Sequence, residues 1–239
     1  MNLLLLEDSD FIGSSRAIVS GRRLQHLLQV HKASVGDEIR VGHINGLIGH
    51  ARLEKLSPSS AELDLHLHQP PPAGLPLTLI IALPRPKMIK RIFQTCATMG
   101  VKQLFLINSY KVEKSYWQSP LLEPSNIREQ LLLGLEQGVD SVLPRVELKK
   151  RFKPFVEDEL PTLCKGRRAL LAHPGAVNPC PAAGLDPTVL IVGPEGGFID
   201  YEVEKLRQAG CEDIHLGQRI LRTETAIPVL LSRLFPVVA

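Results

Sequence analysis

Two hydrophobic patterns divide the chain at a proline-rich stretch, Gln69–Gly74. Before it, short β-rich runs predict a small β-barrel or sandwich, in which a short opening strand and a helix near Arg22–Lys32 precede three strands. These strands are predicted over Asp37–Gly42, Leu47–Leu56 and Ala61–His68. Asn45-Gly46 separates the first two, and this dipeptide predicts a type I′ hairpin because both central residues need a positive φ.

After the proline-rich stretch, apolar runs alternate with amphipathic segments. Helical spacing of apolar residues predicts helices over Met88–Met99 and around Ile127–Leu135. The continuous apolar runs are typical of strands buried on both faces of a parallel sheet. They cover Leu77–Leu83, Gln103–Ile107, Val142–Leu148, Ala169–Ala172, Val189–Val192 and Asp213–Leu216. This second part is therefore predicted to be an α/β domain.

Composition adds that both parts should fold, since 44% of the 239 residues are hydrophobic and 22% are charged. The four cysteines form no C-x-x-C pair, so neither a disulfide framework nor a metal site is expected, and a reducing, cytoplasmic setting fits best. No apolar run is long enough to predict a membrane span. The basic surplus lies in the second part, where local clusters at Arg85–Arg91, Arg145–Lys153 and Lys165–Arg168 are either phosphate contacts or solvated surface.

A glycine-rich turn follows the predicted strand Val189–Val192. It reads Gly193-Pro194-Glu195-Gly196-Gly197-Phe198, and Asp200 after it is a candidate helix N-cap. The turn is neither a P-loop nor a dinucleotide fingerprint. Its glycines allow a ligand to approach the backbone closely, but a tight turn needs them as well. Taken alone, the turn therefore does not decide between a binding loop and a structural one.

A second loop supplies the context. It runs from Leu216 to Thr225, between the predicted strand Asp213–Leu216 and an apolar helix that Pro228 should delay or bend. Two strand ends of this kind should lie side by side at the carboxyl edge of the sheet, where open α/β sheets bind ligands. The two loops together therefore predict a ligand crevice.

Both loops resemble those of the RsmE-type 16S ribosomal RNA methyltransferases, which methylate N3 of a uracil. The matching strings are Gly193–Phe198 and Leu216–Ala226, and Arg22–Val30 with Val35–Ile39 is similar to the family's PUA-like front domain. The resemblance implies a PUA-like β-barrel RNA-binding domain at residues 1–72. It also implies a parallel-sheet SPOUT methyltransferase domain with a trefoil knot at residues 73–239, and a homodimer that acts on the small ribosomal subunit.

The same resemblance implies S-adenosylmethionine as cofactor. Residues expected to bind it lie in the two loops, at the end of the strand Val189–Val192, and in or just after the strand Ala169–Ala172. They are Leu171, His173, Val192, Gly193, Glu195, Gly197, Leu216, Gly217, Ile220, Leu221 and Thr225.

Methylation of a uracil N3 removes an imide proton, so cations that stabilise the resulting anion should help. Arg219 and Arg222 are the candidates, with Glu224 or Glu195 as a general base or as a structural carboxylate. Tyr116 and Trp117 either stack on a base or anchor the loop that holds them.

Two other functions remain open from the sequence. One is a knotted methyltransferase with another RNA target or with ribose 2′-O chemistry, and the Leu216–Ala226 string disfavours it. The other is a non-catalytic RNA-binding or ribosome-assembly module. That module should have damaged cofactor loops, whereas both loops are intact in this sequence.

Overall fold

The computed structural model describes residues 2–236. Twelve strands lie within this range. They are β1 (Leu4–Leu6), β2 (Arg16–Val19), β3 (Glu38–His43), β4 (Ile48–Leu56), β5 (Ala61–Gln69), β6 (Leu77–Ala82), β7 (Gln103–Ile107), β8 (Arg145–Lys149), β9 (Arg168–Ala172), β10 (Asn178–Pro179), β11 (Thr188–Val192) and β12 (Glu212–His215).

The same range contains seven α-helices, several of them short. They are α1 (Gly21–His26), α2 (Pro86–Thr98), α3 (Pro124–Gly138), α4 (Phe152–Pro154), α5 (Leu160–Cys164), α6 (Asp200–Gln208) and α7 (Thr223–Leu234). Shorter 3-10 and π-helical turns lie at Asp8–Asp10, Leu27–His31, Lys114–Gln118, Pro120–Leu122 and Phe155–Glu159.

The chain forms two compact units. The first comprises the residues up to Ala73 together with Leu131–Leu143, and the second comprises Gly74–Gln130 and the chain from Pro144 onward. The predicted domain ends Met1 and Ala239 lie outside the described residues.

A five-stranded sheet in the order β1-β3-β4-β5-β2 forms the first unit's framework. Its strands pair antiparallel except for β1 and β3, which are parallel. Alternate side chains such as Val41, Leu53 and Leu63 are fully buried in one core, which is the pattern expected of a sheet with one solvated face. The sequence did not predict β2, because four residues carry too little alternation to stand out.

The predicted type I′ turn at Asn45-Gly46 is wrong. Asn45 has a positive φ of 60°, but Gly46 is not among the positive-φ residues. The Asn45 N–H donates to the Ser141 carbonyl at 2.8 Å, and its Oδ1 accepts the Leu143 N–H at 2.9 Å. Both partners are distant in sequence, and the rules that relate a dipeptide to a hairpin turn take no account of such contacts. They accompany a turn that differs from the predicted type I′.

The second unit has a seven-stranded, wholly parallel sheet in the order β10-β12-β9-β11-β6-β7-β8. Every residue of the central strands β6 and β11 is buried, which explains why both sequences are apolar apart from Thr78 and Thr188. The register aligns Val192 of β11 with Ile81 of β6 and Ala172 of β9. The carboxyl ends of these three strands therefore lie level at one edge.

Two helix starts differ from expectation. Ile199 takes the N-cap position of α6, so Asp200 is its first helical residue instead of its cap. The last helix does not start late, because α7 begins at Thr223 with Pro228 inside it. Proline lacks an N–H, so the Glu224 carbonyl loses its usual donor four residues later.

Candidate active site

Four neighbouring strands deliver their carboxyl ends to the same edge of the parallel sheet. In the order β12-β9-β11-β6, they lead into Leu216–Arg222, His173, Gly193–Ile199 and Leu83–Arg85. The two predicted loops share this edge but do not follow adjacent strands, because β9 lies between them. That part of the prediction is wrong, and the reason is that hydrophobic periodicity does not specify strand order.

The first loop, Gly193–Ile199, is a closed turn. The Gly197 N–H donates to the Pro194 carbonyl at 2.8 Å, and Gly197 has a φ of +69°, which favours glycine. A Cβ on Gly193 would lie 3.2 Å from the ring of Phe198, which is only 5% exposed. The loop therefore packs against its own buried aromatic residue.

Polar contacts from neighbouring segments fix this loop further. Lys111 Nζ donates to the Gly196 carbonyl at 2.7 Å, and Glu195 Oε1 accepts the Arg85 N–H at 3.0 Å. Glu202, only 2% exposed, accepts the N–H groups of Ile199 at 3.1 Å and Tyr110 at 2.7 Å. The sequence analysis missed Glu202, whose only signal was an acidic residue in a helix's first turn.

The second loop, Leu216–Arg222, is more open. Gly217 has a φ of +103°, and its N–H donates to His215 Nδ1 at 2.9 Å. Ile220 is 80% exposed, an unusual degree of exposure for a large apolar side chain next to a cavity. Thr223 Oγ1 donates to the Gly193 carbonyl at 3.4 Å and so connects the two loops.

A cavity opens between the two loops. Ten of the predicted site residues line it: His173, Val192, Gly193, Glu195, Gly197, Leu216, Gly217, Arg219, Ile220 and Leu221. Phe198 and Thr223 of the predicted loops, and Ala226, line it as well, although none of the three was named as a cofactor-binding residue. Two predicted residues lie elsewhere in the described chain, since Leu171 is buried within β9 and Thr225 is exposed on α7.

A second, larger cleft of about 780 Å³ adjoins this cavity, and Glu195 lines both. Arg222 and Glu224, which were predicted as catalytic, line this cleft. Arg85, Lys87 and Tyr116 also line it, although no catalytic role was predicted for them. Of the three predicted catalytic residues, Arg219 therefore lines the cavity between the two loops. Arg222 and Glu224 line the adjoining cleft.

The two aromatic candidates have different surroundings. Trp117 Nε1 donates to Asn108 Oδ1 at 2.9 Å, so Trp117 anchors its loop. Tyr116 lines the cleft, and its hydroxyl donates to Glu113 Oε1 at 3.1 Å. The pKa of Tyr116 is raised, mainly by desolvation and to a smaller extent by this hydrogen bond, so its hydroxyl stays protonated.

The basic clusters also divide. Lys149 pairs with Glu159 at 2.6 Å and with Glu147 at 3.1 Å, and Arg145 pairs with Glu147 at 3.1 Å. Arg167 donates to Thr78 Oγ1 at 2.7 Å. Of the first cluster, by contrast, Arg85 and Lys87 line the cleft, whereas Lys90 and Arg91 do not.

A parallel sheet with a cavity between two loops at its carboxyl edge is the arrangement in which open α/β proteins bind ligands. A family model described as an RNA methyltransferase domain matches residues 71–235. The chain belongs to this family of RNA methyltransferases.

Named relatives match from two thirds to nearly all of the chain. The chain is 29% identical over 236 residues to ribosomal RNA small subunit methyltransferase E of Treponema pallidum, covering 95% of this chain and 87% of that protein. The protein of the same name from Mesomycoplasma hyopneumoniae is 30% identical over 162 residues, with 66% and 68% covered.

A solved structure shares the fold. Ribosomal RNA small subunit methyltransferase E from Neisseria gonorrhoeae, bound to S-adenosyl methionine, superimposes with a TM-score of 0.76 at 20% identity, covering 97% of this chain and 95% of that one. The predicted fold class, an α/β domain built on a parallel sheet with a small N-terminal β domain, is confirmed. None of the described helices is long and apolar enough to cross a membrane.

Proposed function

We propose that this chain is an S-adenosylmethionine-dependent methyltransferase that acts on N3 of a uridine in 16S ribosomal RNA. Family membership and the relatives' shared name support the RNA substrate. The observation that carries the proposal is the cavity between Gly193–Ile199 and Leu216–Arg222, next to a cleft lined by cationic and carboxylate side chains.

The cavity fits the cofactor. Exposed Ile220, with Leu221, offers an apolar surface for the adenine ring, and the backbone of Gly193, Gly197 and Gly217 can approach the ligand closely. Val192, Leu216, His173 and Glu195, which were also predicted to bind the cofactor, lie in the cavity wall. When bound, the cofactor supplies an electrophilic methyl group on its sulfonium.

The cleft residues would prepare the uracil for methyl transfer. Arg222 can stabilise the negative charge on the ring oxygens after the imide proton leaves, and Arg219 can act from the cavity side. Two carboxylates reach the cleft. Glu195 Oε1 already accepts the Arg85 N–H, whereas Glu224 has no hydrogen-bond or ion-pair partner for its carboxylate among residues 2–236, so we assign the base to Glu224.

Several further features belong to the same proposal. Residues 1–72 would bind RNA as a PUA-like domain, and residues 73–239 would form the knotted catalytic domain. The enzyme would work in the cytoplasm as a homodimer whose subunits share each active site. Light scattering should then give twice the 26.4 kDa monomer mass, and a monomer at micromolar concentration would contradict the shared site.

Calorimetric titration with S-adenosylmethionine tests the cofactor site. Gly197→Arg should abolish binding by filling the cavity, but it also places a side chain at a positive φ. Gly197→Asn is the matched control, because asparagine tolerates this backbone region and is shorter. Loss of binding in the arginine variant alone supports the site, whereas binding by both variants contradicts it.

Methylation of small-subunit ribosomal RNA then tests the reaction. Nucleoside analysis of the digested product should give N3-methyluridine. A 2′-O-methyl nucleoside would favour the alternative chemistry. Saturable cofactor binding with no RNA methylation would contradict the proposed substrate, and no cofactor binding by the folded protein would favour a non-catalytic RNA-binding module.

A further inference from the structure

Tyr116 is an aromatic side chain in the wall of the cleft that adjoins the cofactor cavity. It is partly exposed, and its hydroxyl is held by Glu113 at 3.1 Å. The neighbouring Trp117 is held by Asn108, so the local structure does not need the Tyr116 ring as an anchor. A phenol ring fixed at one end and open to a cleft is suited to stack on a flat ligand.

Three cationic side chains share the cleft with this ring and with the carboxylates of Glu113, Glu195 and Glu224. Arg85, Lys87 and Arg222 line the same cleft, and none of the three side chains has an ion-pair partner among residues 2–236. The Arg85 side chain is free to reach a ligand because Glu195 is bonded to the Arg85 backbone N–H and not to its guanidinium. An aromatic ring among unpaired cations is the combination that binds a single-stranded nucleotide.

Building on the proposed function, we infer that this cleft is the subsite for the target nucleotide, with the Tyr116 ring stacked on the pyrimidine and Arg85 contacting a flanking phosphate. Glu195 lines both the cleft and the cofactor cavity, so a base on Tyr116 lies next to the methyl-donor site. Arg222 and Glu224 line the same cleft, where they can act on the edge of the stacked base. Tyr116 and Arg85 are recognition residues in this arrangement.

Substitutions at Tyr116 separate stacking from a structural role. Tyr116→Phe keeps the ring and loses the bond to Glu113, so its activity should stay close to that of the wild type. Tyr116→Leu removes the ring, and kcat/KM for RNA should fall about tenfold to a hundredfold, mainly through KM, as loss of one base stack predicts. Affinity for S-adenosylmethionine should not change.

Matched controls come from the same unit. Tyr201 is 50% exposed on α6 and lines neither cavity, so Tyr201→Leu should leave kcat/KM unchanged. Arg85→Gln should raise KM and reduce its salt dependence, because a phosphate contact releases counterions. Its control is Arg91→Gln, at an exposed position of helix α2 that lines neither cavity. Equal kcat/KM values for the Tyr116→Leu and Tyr201→Leu variants would overturn the inference.

A binding measurement keeps this inference separate from the proposed reaction. Trp117 is the chain's single tryptophan and lies next to Tyr116, so its fluorescence can report binding of a short uridine-containing RNA. Saturable RNA binding that is weakened by Tyr116→Leu supports the subsite. If the wild type binds this RNA but methylates no ribosomal RNA, only the proposed reaction is contradicted. Equal binding by the wild type and Tyr116→Leu overturns the subsite and leaves the reaction standing.

Discussion

The two loops at the carboxyl edge of the parallel sheet are built in opposite ways. In Gly193–Ile199, neighbouring groups hold the Gly196 carbonyl and the Gly197 and Ile199 N–H groups. In Leu216–Arg222, Gly217 donates to His215, and no backbone-to-backbone hydrogen bond among the described residues involves an N–H of 218–221. Phe198 of the first loop is 5% exposed, whereas Ile220 of the second is 80% exposed.

This contrast indicates that the two loops have different roles. The first loop is stabilised by contacts within the protein, so it presents a preformed wall to the ligand. The second loop leaves backbone N–H groups and the Ile220 side chain available to contact the ligand. Ligand binding must then pay the entropic cost of ordering this loop. Variants that remove the internal contacts of the first loop should therefore affect folding, and variants of the second loop should affect binding and chemistry.

The largest effect is expected from Phe198→Ala. Removing this buried ring leaves a cavity beneath the first loop, and the free energy of unfolding should fall by about 3–5 kcal/mol. Urea unfolding measures it, with Ile220→Ala as the control, since it removes an apolar side chain from the second loop. Similar unfolding free energies for the two variants would erase the contrast between the loops.

Arg222→Ala comes next. If this guanidinium stabilises the uracil anion, kcat should drop about 100- to 1000-fold, which is typical of losing one oxyanion donor. Cofactor affinity should hold, because Arg222 lines the cleft and not the cavity. Arg219→Ala is the informative partner, since Arg219 lines the cavity and its removal should weaken cofactor binding. A kcat for Arg222→Ala equal to that of the wild type would rule out this role.

A smaller effect is expected from Ile220→Ser. Covering an isoleucine with adenine contributes roughly 1.5–3 kcal/mol at most, so affinity for S-adenosylmethionine should fall about tenfold. The unfolding midpoint should not move, because the side chain is exposed in the free protein. Val177, 90% exposed and outside the cavity, provides the control Val177→Ser. Unchanged cofactor affinity would show that the second loop does not bind through this side chain.

The sequence predicted the sheet of the second unit well because buried parallel strands are continuous apolar runs. Gln103–Ile107 was predicted with the observed bounds. The strand predicted over Val142–Leu148 was given too early a start. The observed strand β8 begins at Arg145, after Pro144, because proline has no N–H to donate to the sheet. Local pattern and local chemistry explain both outcomes.

What the sequence did not predict depends on contacts between distant segments. Strand order placed β9 between β11 and β12, and no periodicity carries that information. Glu202 binds the Tyr110 N–H across 92 positions of the chain, and the cleft combines Arg85, Tyr116 and Arg222 from three separate segments. The motifs therefore located the two loops that line the cavity, while the neighbouring cleft became visible only in the fold.

The smallest effect concerns the pair that joins the elements behind the two loops. Arg207 of α6 donates to Asp213 of β12 at 2.9 and 2.6 Å, and these bonds lower the pKa of Asp213. A depressed carboxyl pKa stabilises the folded state above the unfolded pKa, and this contribution is lost as pH falls through the folded value. Asp213→Asn should therefore destabilise the protein slightly at pH 7, much less than Phe198→Ala does, because the pair is largely solvent-screened. The difference from wild type in urea unfolding should shrink below about pH 4, near the unfolded pKa of an aspartate. A difference that stays constant across this range would mean that the asparagine acts through packing of β12 and not through the lost charge.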